Sequence, residues 1–97
     1  MDERPWYVYM LLCKSNRIYT GATPDLQKRF DTHVSGRGAM FTRINTPQKI
    51  LASKLFPSKS AALRAEAQIK SLSRAQKLYM ASKWLGEDGN QFSSPLK

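Results

Sequence analysis

Apolar residues along the chain repeat with two different periods. WYVYMLL, Trp6 to Leu12, is an unbroken apolar run. It is too short for a helix and reads as a strand covered on both faces. KSN follows as a turn and RIYTG as a second short strand, so the pair reads as a hairpin. Thr23 is placed to cap a helix, with Pro24 at its first position and Asp25 in its first turn. Leu26, Phe30 and Val34 then recur at the spacing of one buried helical face. That helix stops at Gly36, where SGRG opens a mobile basic loop that Pro47 ends. KILASKLF reads as a third strand, again apolar on both faces. Pro57 and Ser58 break it, and Ser58 or Ser60 caps a second helix through AALRAEAQIKSL. Ser73 caps a third, RAQKLYMASKWL, ended by Gly86. The order ββαβαα describes an α/β domain whose small sheet, opening with a hairpin, is mixed or antiparallel. Residues 1–86 form this domain, and 87–97 lack periodicity and read as a flexible tail.

Composition narrows the setting. The chain has 97 residues, one domain's worth, and 41% of them are hydrophobic. The single cysteine, Cys13, permits neither an internal disulfide nor a cysteine-based zinc site, which favours a reducing, cytoplasmic location. The leading MDERP does not suit a signal peptide, and the apolar run after it is too short to cross a bilayer. No phosphate-binding glycine loop is present.

Charge says more. Sixteen Lys and Arg against seven acids give a net charge of +9. Such a field attracts polyanions. Nucleic acid is the first partner it suggests and an anionic membrane the competitor, but no long basic amphipathic helix supports the membrane. Some of the lysines also serve solubility.

One histidine rules out multi-histidine constellations, and Cys13, following a buried strand, reads as inert. Glu66 lies among Ala62, Ala65 and Ile69 on the helical wheel, on or beside a face that should be buried. Burying an unpaired ion costs several kcal/mol. Glu66 therefore needs a basic partner such as Arg64 or Lys70, a water-facing edge, or a metal. Mg2+ takes one or two carboxylates and completes its shell with water and phosphate oxygens, so one acid is enough. Asp25, Arg29 and His33 form an i, i+4, i+8 row at the rim of the first helix's apolar stripe. Asp25 and Arg29 there make either a weak surface pair or, in Arg29, a grip on phosphate. By residue type alone His33 reads as a solvated helix residue. Strand tyrosines mostly pack, and a phenol near pKa 10 is a poor base at pH 7 unless cations lie beside it.

Taken in order, these residues resemble the GIY-YIG nuclease superfamily. YVY, Tyr7 to Tyr9, stands for its first triplet and YTG, Tyr19 to Gly21, for its second. Arg29, His33 and Glu66 fall at its arginine, histidine and metal-binding glutamate. SGRGAMFTRINTP and EAQIKSLSRAQK are similar to its small stand-alone bacterial branch, and the resemblance spans about Trp6 to Trp84. It implies a three-stranded antiparallel sheet flanked by three helices. It also implies metal-dependent hydrolysis of DNA phosphodiesters with Mg2+ or Mn2+. The implied roles are Tyr19 as general base, Tyr9 assisting by hydrogen bond, Arg29 stabilising the phosphorane, His33 in the catalytic set and Glu66 holding the metal. Gly21 would allow close approach of backbone and substrate.

Two departures stand out: Tyr7 replaces the first triplet's glycine, and no second DNA-binding domain is present. Lys28, Arg37, Arg43 and Lys70 are candidates for backbone contacts to DNA, with RNA not excluded. Such contacts position without reading sequence. The expected assembly is a monomer or weak homo-oligomer away from membranes. A non-catalytic nucleic-acid-binding module on the same scaffold is the alternative, and a basic protein-interaction domain a third.

Strand parity supplies a test. Tyr9 and Tyr19 share a sheet face only across an odd-numbered hairpin loop, for which Lys14-Ser15-Asn16 with a left-handed Asn16 is the natural choice.

Overall fold

The computed structural model describes residues 4–86; the tail expected at 87–97 lies outside them. Strands β1 (Trp6–Cys13), β2 (Ile18–Thr23) and β3 (Pro47–Phe56) form an antiparallel sheet in the order β2-β1-β3. Helices α1 (Leu26–Val34) and α2 (Met40–Ile44) separate β2 from β3, and α3 (Lys59–Lys70) and α4 (Arg74–Leu85) follow it.

The hairpin has the odd loop. Tyr9 opposes Gly21 and Leu11 opposes Tyr19, so the three loop residues are Lys14, Ser15 and Asn16. Asn16 takes φ 65°, a region open to asparagine because its side chain tolerates the left-handed fold of the chain. Its amide oxygen accepts a hydrogen bond from Arg74 Nη2 at 3.0 Å, tying the turn to the start of α4.

Each sheet face carries its own core. Val8, Met10 and Ala52 meet Ala62, Ile69, Ala81 and Trp84 from α3 and α4. Tyr9, Leu11, Cys13 and Ile50 meet Leu26, with Phe30 and Phe41 at the margin, from α1 and α2. The apolar-on-both-faces strands are thereby explained: β1 is the central strand of a three-layer sandwich. Cys13 is fully buried, and burial pushes its thiol pKa up, as suits an inert thiol.

Four local expectations need correction. Asp25, not Thr23, caps α1: its carboxylate accepts from the Lys28 N–H, while Thr23 Oγ1, still in the strand, accepts from the Asp25 N–H. The buried stripe of α1 is rotated from the expected one. Val34 is 45% exposed and His33 takes its place in the interior. The basic loop is not wholly a loop, since its second half winds into α2, a fourth helix. Ser15 Oγ donates to Asn45 Oδ1 at 2.6 Å and the Lys14 N–H to the Thr46 carbonyl at 2.7 Å, so this segment is pinned to the hairpin. Finally, β3 starts at Pro47 itself. The later helices match their caps. Ser58 accepts from the Ala61 N–H, and Ser73 and Gln76 form a reciprocal capping box.

Candidate functional site

The tyrosines of β1 and β2 point to the same face because positions 7, 9, 19 and 21 share parity in the antiparallel register. Tyr9 is 1% exposed, and its ring lies across the backbone of β2 at Gly21. A Cβ built on Gly21 would fall 2.6 Å from Tyr9 Cζ and 3.2 Å from Tyr19 Cε2. Gly21 does not have a positive φ. It is needed for space, and the occupant of that space is Tyr9.

The Tyr9 hydroxyl lies 3.0 Å from His33 Nε2, and His33 Nδ1 lies 2.7 Å from Thr42 Oγ1. Thr42 Oγ1 is 2.9 Å from the Ala39 carbonyl, which can only accept, so the threonine proton points there. His33 Nδ1 must then donate to Thr42, and Nε2 must accept from Tyr9. This assigns a neutral imidazole in one tautomer within a fully satisfied buried chain. The pKa values agree: burial first, and the Arg29 charge second, lower His33 to about 4. His33 is thus fully buried, and the reading of it as a solvated helix residue is overturned. A buried imidazole is acceptable only with partners on both nitrogens, and those come from β1 and α2.

Tyr9 is held protonated. Burial raises its pKa most, followed by Tyr19; the Arg29 guanidinium beside the hydroxyl acts the other way, and Glu66 adds to the rise. The rings of Tyr19 and His33 are 5.0 Å apart, those of Tyr19 and Phe41 5.8 Å, and those of Tyr9 and Tyr19 6.3 Å. Tyr19 is half-buried, with its ring among three aromatic neighbours.

Glu66 acts on this centre from α3, in the layer across the sheet. Its side chain is 18% exposed and its carboxylate pairs with Lys70 Nζ at 3.1 Å, one of the two basic partners considered above; Arg64 instead donates to Ser60. No group of three or more histidine, cysteine or acidic side chains forms a metal cage among the described residues. One carboxylate near the surface still fits a hard dication that draws its remaining ligands from water and phosphate. Lys70, with a half-exposed side chain, can leave Glu66 without unburying anything.

The basic candidates are all at the surface: Lys28 and Arg29 on α1, Arg37 before α2, Arg43 on it, and Lys70 on α3. Arg29 makes no surface pair with Asp25, whose carboxylate caps the helix. Lys28 and Arg29 border a cleft of about 390 Å3 with Arg4, Thr23, Asp25 and Thr32. Tyr19 and Glu66 do not border it: Tyr19 packs in the aromatic centre of Tyr9 and His33, and Glu66 lies on α3. Two further residues belong to this centre. Thr42 completes the hydrogen-bonded chain, and Gly38 leaves room for the His33 ring, since a Cβ there would lie 2.9 Å from Cε1. The second glycine of SGRG was the visible signal for Gly38; Thr42 gave none.

Comparison with known proteins shows the family and the fold. A family model described as the GIY-YIG catalytic domain matches residues 5–79. The UPF0213 protein of Cupriavidus pinatubonensis is 47% identical over 81 residues, covering 84% of this chain and 90% of the relative. That of Streptococcus agalactiae is 46% identical over 78 residues, covering 80% and 89%. The solution NMR structure of a UPF0213 protein from Bacillus halodurans superposes with a TM-score of 0.55 at 43% identity, covering 84% of this chain and 87% of that one. Among the described residues no helix is long and apolar enough to cross a membrane.

Proposed function

Because the chain belongs to the GIY-YIG catalytic domain family, we propose that it is a divalent-metal-dependent endonuclease that hydrolyses DNA phosphodiester bonds. The observation that supports this reading most is the packing of the Tyr19 ring, 5.0 Å from His33, against the buried, hydrogen-bonded Tyr9–His33 pair, with the Arg29 guanidinium beside the Tyr9 hydroxyl. Tyr19, acting as its phenolate, takes the proton of the attacking water as the water oxygen bonds to phosphorus, and the phenol so formed returns that proton to solvent. Tyr9 stays protonated, fixed by His33, and assists by hydrogen bonding to the Arg29 guanidinium. Arg29 neutralises charge on the pentacovalent phosphate as the bond to the leaving oxygen breaks. Glu66 would hold Mg2+ or Mn2+ once Lys70 moves aside. Such an ion supplies Lewis-acid stabilisation of the leaving oxygen. Lys28, Arg37, Arg43 and Lys70 position the strand by its phosphates, giving preference for structure rather than sequence.

The test is a cleavage screen on branched, duplex and single-stranded DNA with Mg2+ and Mn2+. Metal-dependent nicking that vanishes in both Glu66→Ala and Tyr19→Phe, with binding retained, supports the enzyme. Nicking that persists in both variants belongs to a contaminant and refutes it. The Lys70–Glu66 ion pair favours one second reading, a binding module whose acid is permanently neutralised; wild-type protein that binds but never cuts would establish that. Either way binding should weaken steeply with salt. Neutralising four phosphates gives a slope of about −3 to −4 in log K against log salt. Arg37→Ala and Arg43→Ala should each make that slope shallower by about 1.

A further inference from the structure

Two of the three most exposed large hydrophobic side chains among the described residues, Met40 at 63% and Ile44 at 73%, lie one turn apart on α2; the third is Tyr79 on α4. Scattered exposed aliphatics need no explanation, but α2 is not a loose segment. Thr42 is bound to His33, Asn45 to Ser15 and the Thr46 carbonyl to Lys14, while Phe41 packs 5.8 Å from Tyr19. One side of the helix is thus fixed to the catalytic centre. The i, i+4 spacing puts Met40 and Ile44 together on the opposite side, with exposed Arg43 between them in sequence and Arg37 just before them. The stretch of chain that holds α2 is also one-signed in charge. No acid occurs between Asp31 and Glu66, whereas Arg37, Arg43, Lys49, Lys54, Lys59 and Arg64 do.

We propose that this face of α2 is a wedge for unpaired or unstacked bases. Met40 and Ile44 cover the apolar face of a base outside the stack, and Arg37 and Arg43 hold the phosphates on either side. The inference rests on the nuclease reading above and names its substrate class: DNA carrying unpaired nucleotides beside the scissile linkage. An apolar pair gains nothing against intact duplex, which offers an approaching helix only phosphates and base edges. Entry would require unstacking a step. Where a base is already out of the stack that penalty is absent, and its face is open to apolar contact. Exposed Arg37 and Arg43 beside the pair, in a stretch of sequence without acids, match a polyanion and argue against a neutral protein partner. Five residues are too few for a membrane-surface helix.

Binding by full-length Glu66→Gln protein in EDTA, followed by fluorescence anisotropy, separates this inference from cleavage. The probes are a short fully paired duplex and the same duplex with an unpaired bulge containing 2-aminopurine. The bulged DNA should bind about tenfold tighter, with a change in 2-aminopurine emission. A Met40→Ala, Ile44→Ala double variant, unaltered in its unfolding curve, should keep duplex affinity and lose the preference. Equal binding of both DNAs by the parent protein overturns the wedge and leaves the nuclease reading standing; no binding to either overturns both. A preference that survives the double variant overturns the wedge. So does a dimer that the double variant dissolves without any change in preference, since the face would then be a contact between copies.

Discussion

Gly21→Ala is expected to reduce cleavage by about a hundredfold and to destabilise the fold by about 1–3 kcal/mol. The added methyl would lie 2.6 Å from Tyr9 Cζ, well inside contact distance, so either the ring or strand β2 must shift. The ring has little freedom, being 1% exposed and hydrogen-bonded to His33. Any movement draws the hydroxyl away from Nε2 and from the guanidinium, and leaves a buried imidazole nitrogen without its donor. Stability loss and activity loss should therefore appear together. Urea unfolding and nicking rates measure the two. A double-mutant cycle with Tyr9→Leu assigns the cause, because with no ring to strike the extra methyl should cost far less. If Gly21→Ala destabilises equally in both backgrounds, Tyr9 is not what requires the glycine.

That glycine illustrates how far the chain could be read without coordinates. Its place in YTG marked it as special, but the sequence did not show that the ring of Tyr9, from the neighbouring strand, lies against it. Local signals were legible. Asn16 set an odd loop, that loop set the parity of Tyr9 and Tyr19, and Ser73 announced α4. What escaped depends on distant partners. α2 has five residues, too few to show a helical period, and is stabilised by Thr42, Asn45 and Thr46 contacting elements elsewhere in the sequence. The buried side of α1 was misplaced by one residue for the same reason. Val34 is the more apolar, but His33 alone can join Tyr9 to Thr42, and a satisfied hydrogen-bonded chain outweighed the transfer of one valine.

The neutral state of His33 predicts a loss of stability in acid. In the unfolded chain the imidazole titrates near 6.5, while in the fold its pKa is lowered to about 4. Above pH 6.5 it is neutral in both states and contributes no pH dependence. As pH falls from 6.5 towards 4, the unfolded chain binds a proton that the folded chain refuses, so stability declines, by about 2–3 kcal/mol at pH 4.5. Protonation in the fold would place a charge where there is no water and beside Arg29, and would turn Nε2 from an acceptor into a donor facing the Tyr9 hydroxyl. Urea unfolding of wild type and His33→Gln at pH 7.5 and pH 4.5 isolates the effect, since the carboxylates titrate alike in both proteins. Wild type should lose its advantage over the variant across this interval, and imidazole nitrogen shifts should stay those of the Nδ1–H tautomer down to about pH 5. A difference between the two proteins that does not change with pH would mean that the imidazole is charged or water-exposed in the fold. The chain from Tyr9 to Ala39 would then run in some other direction.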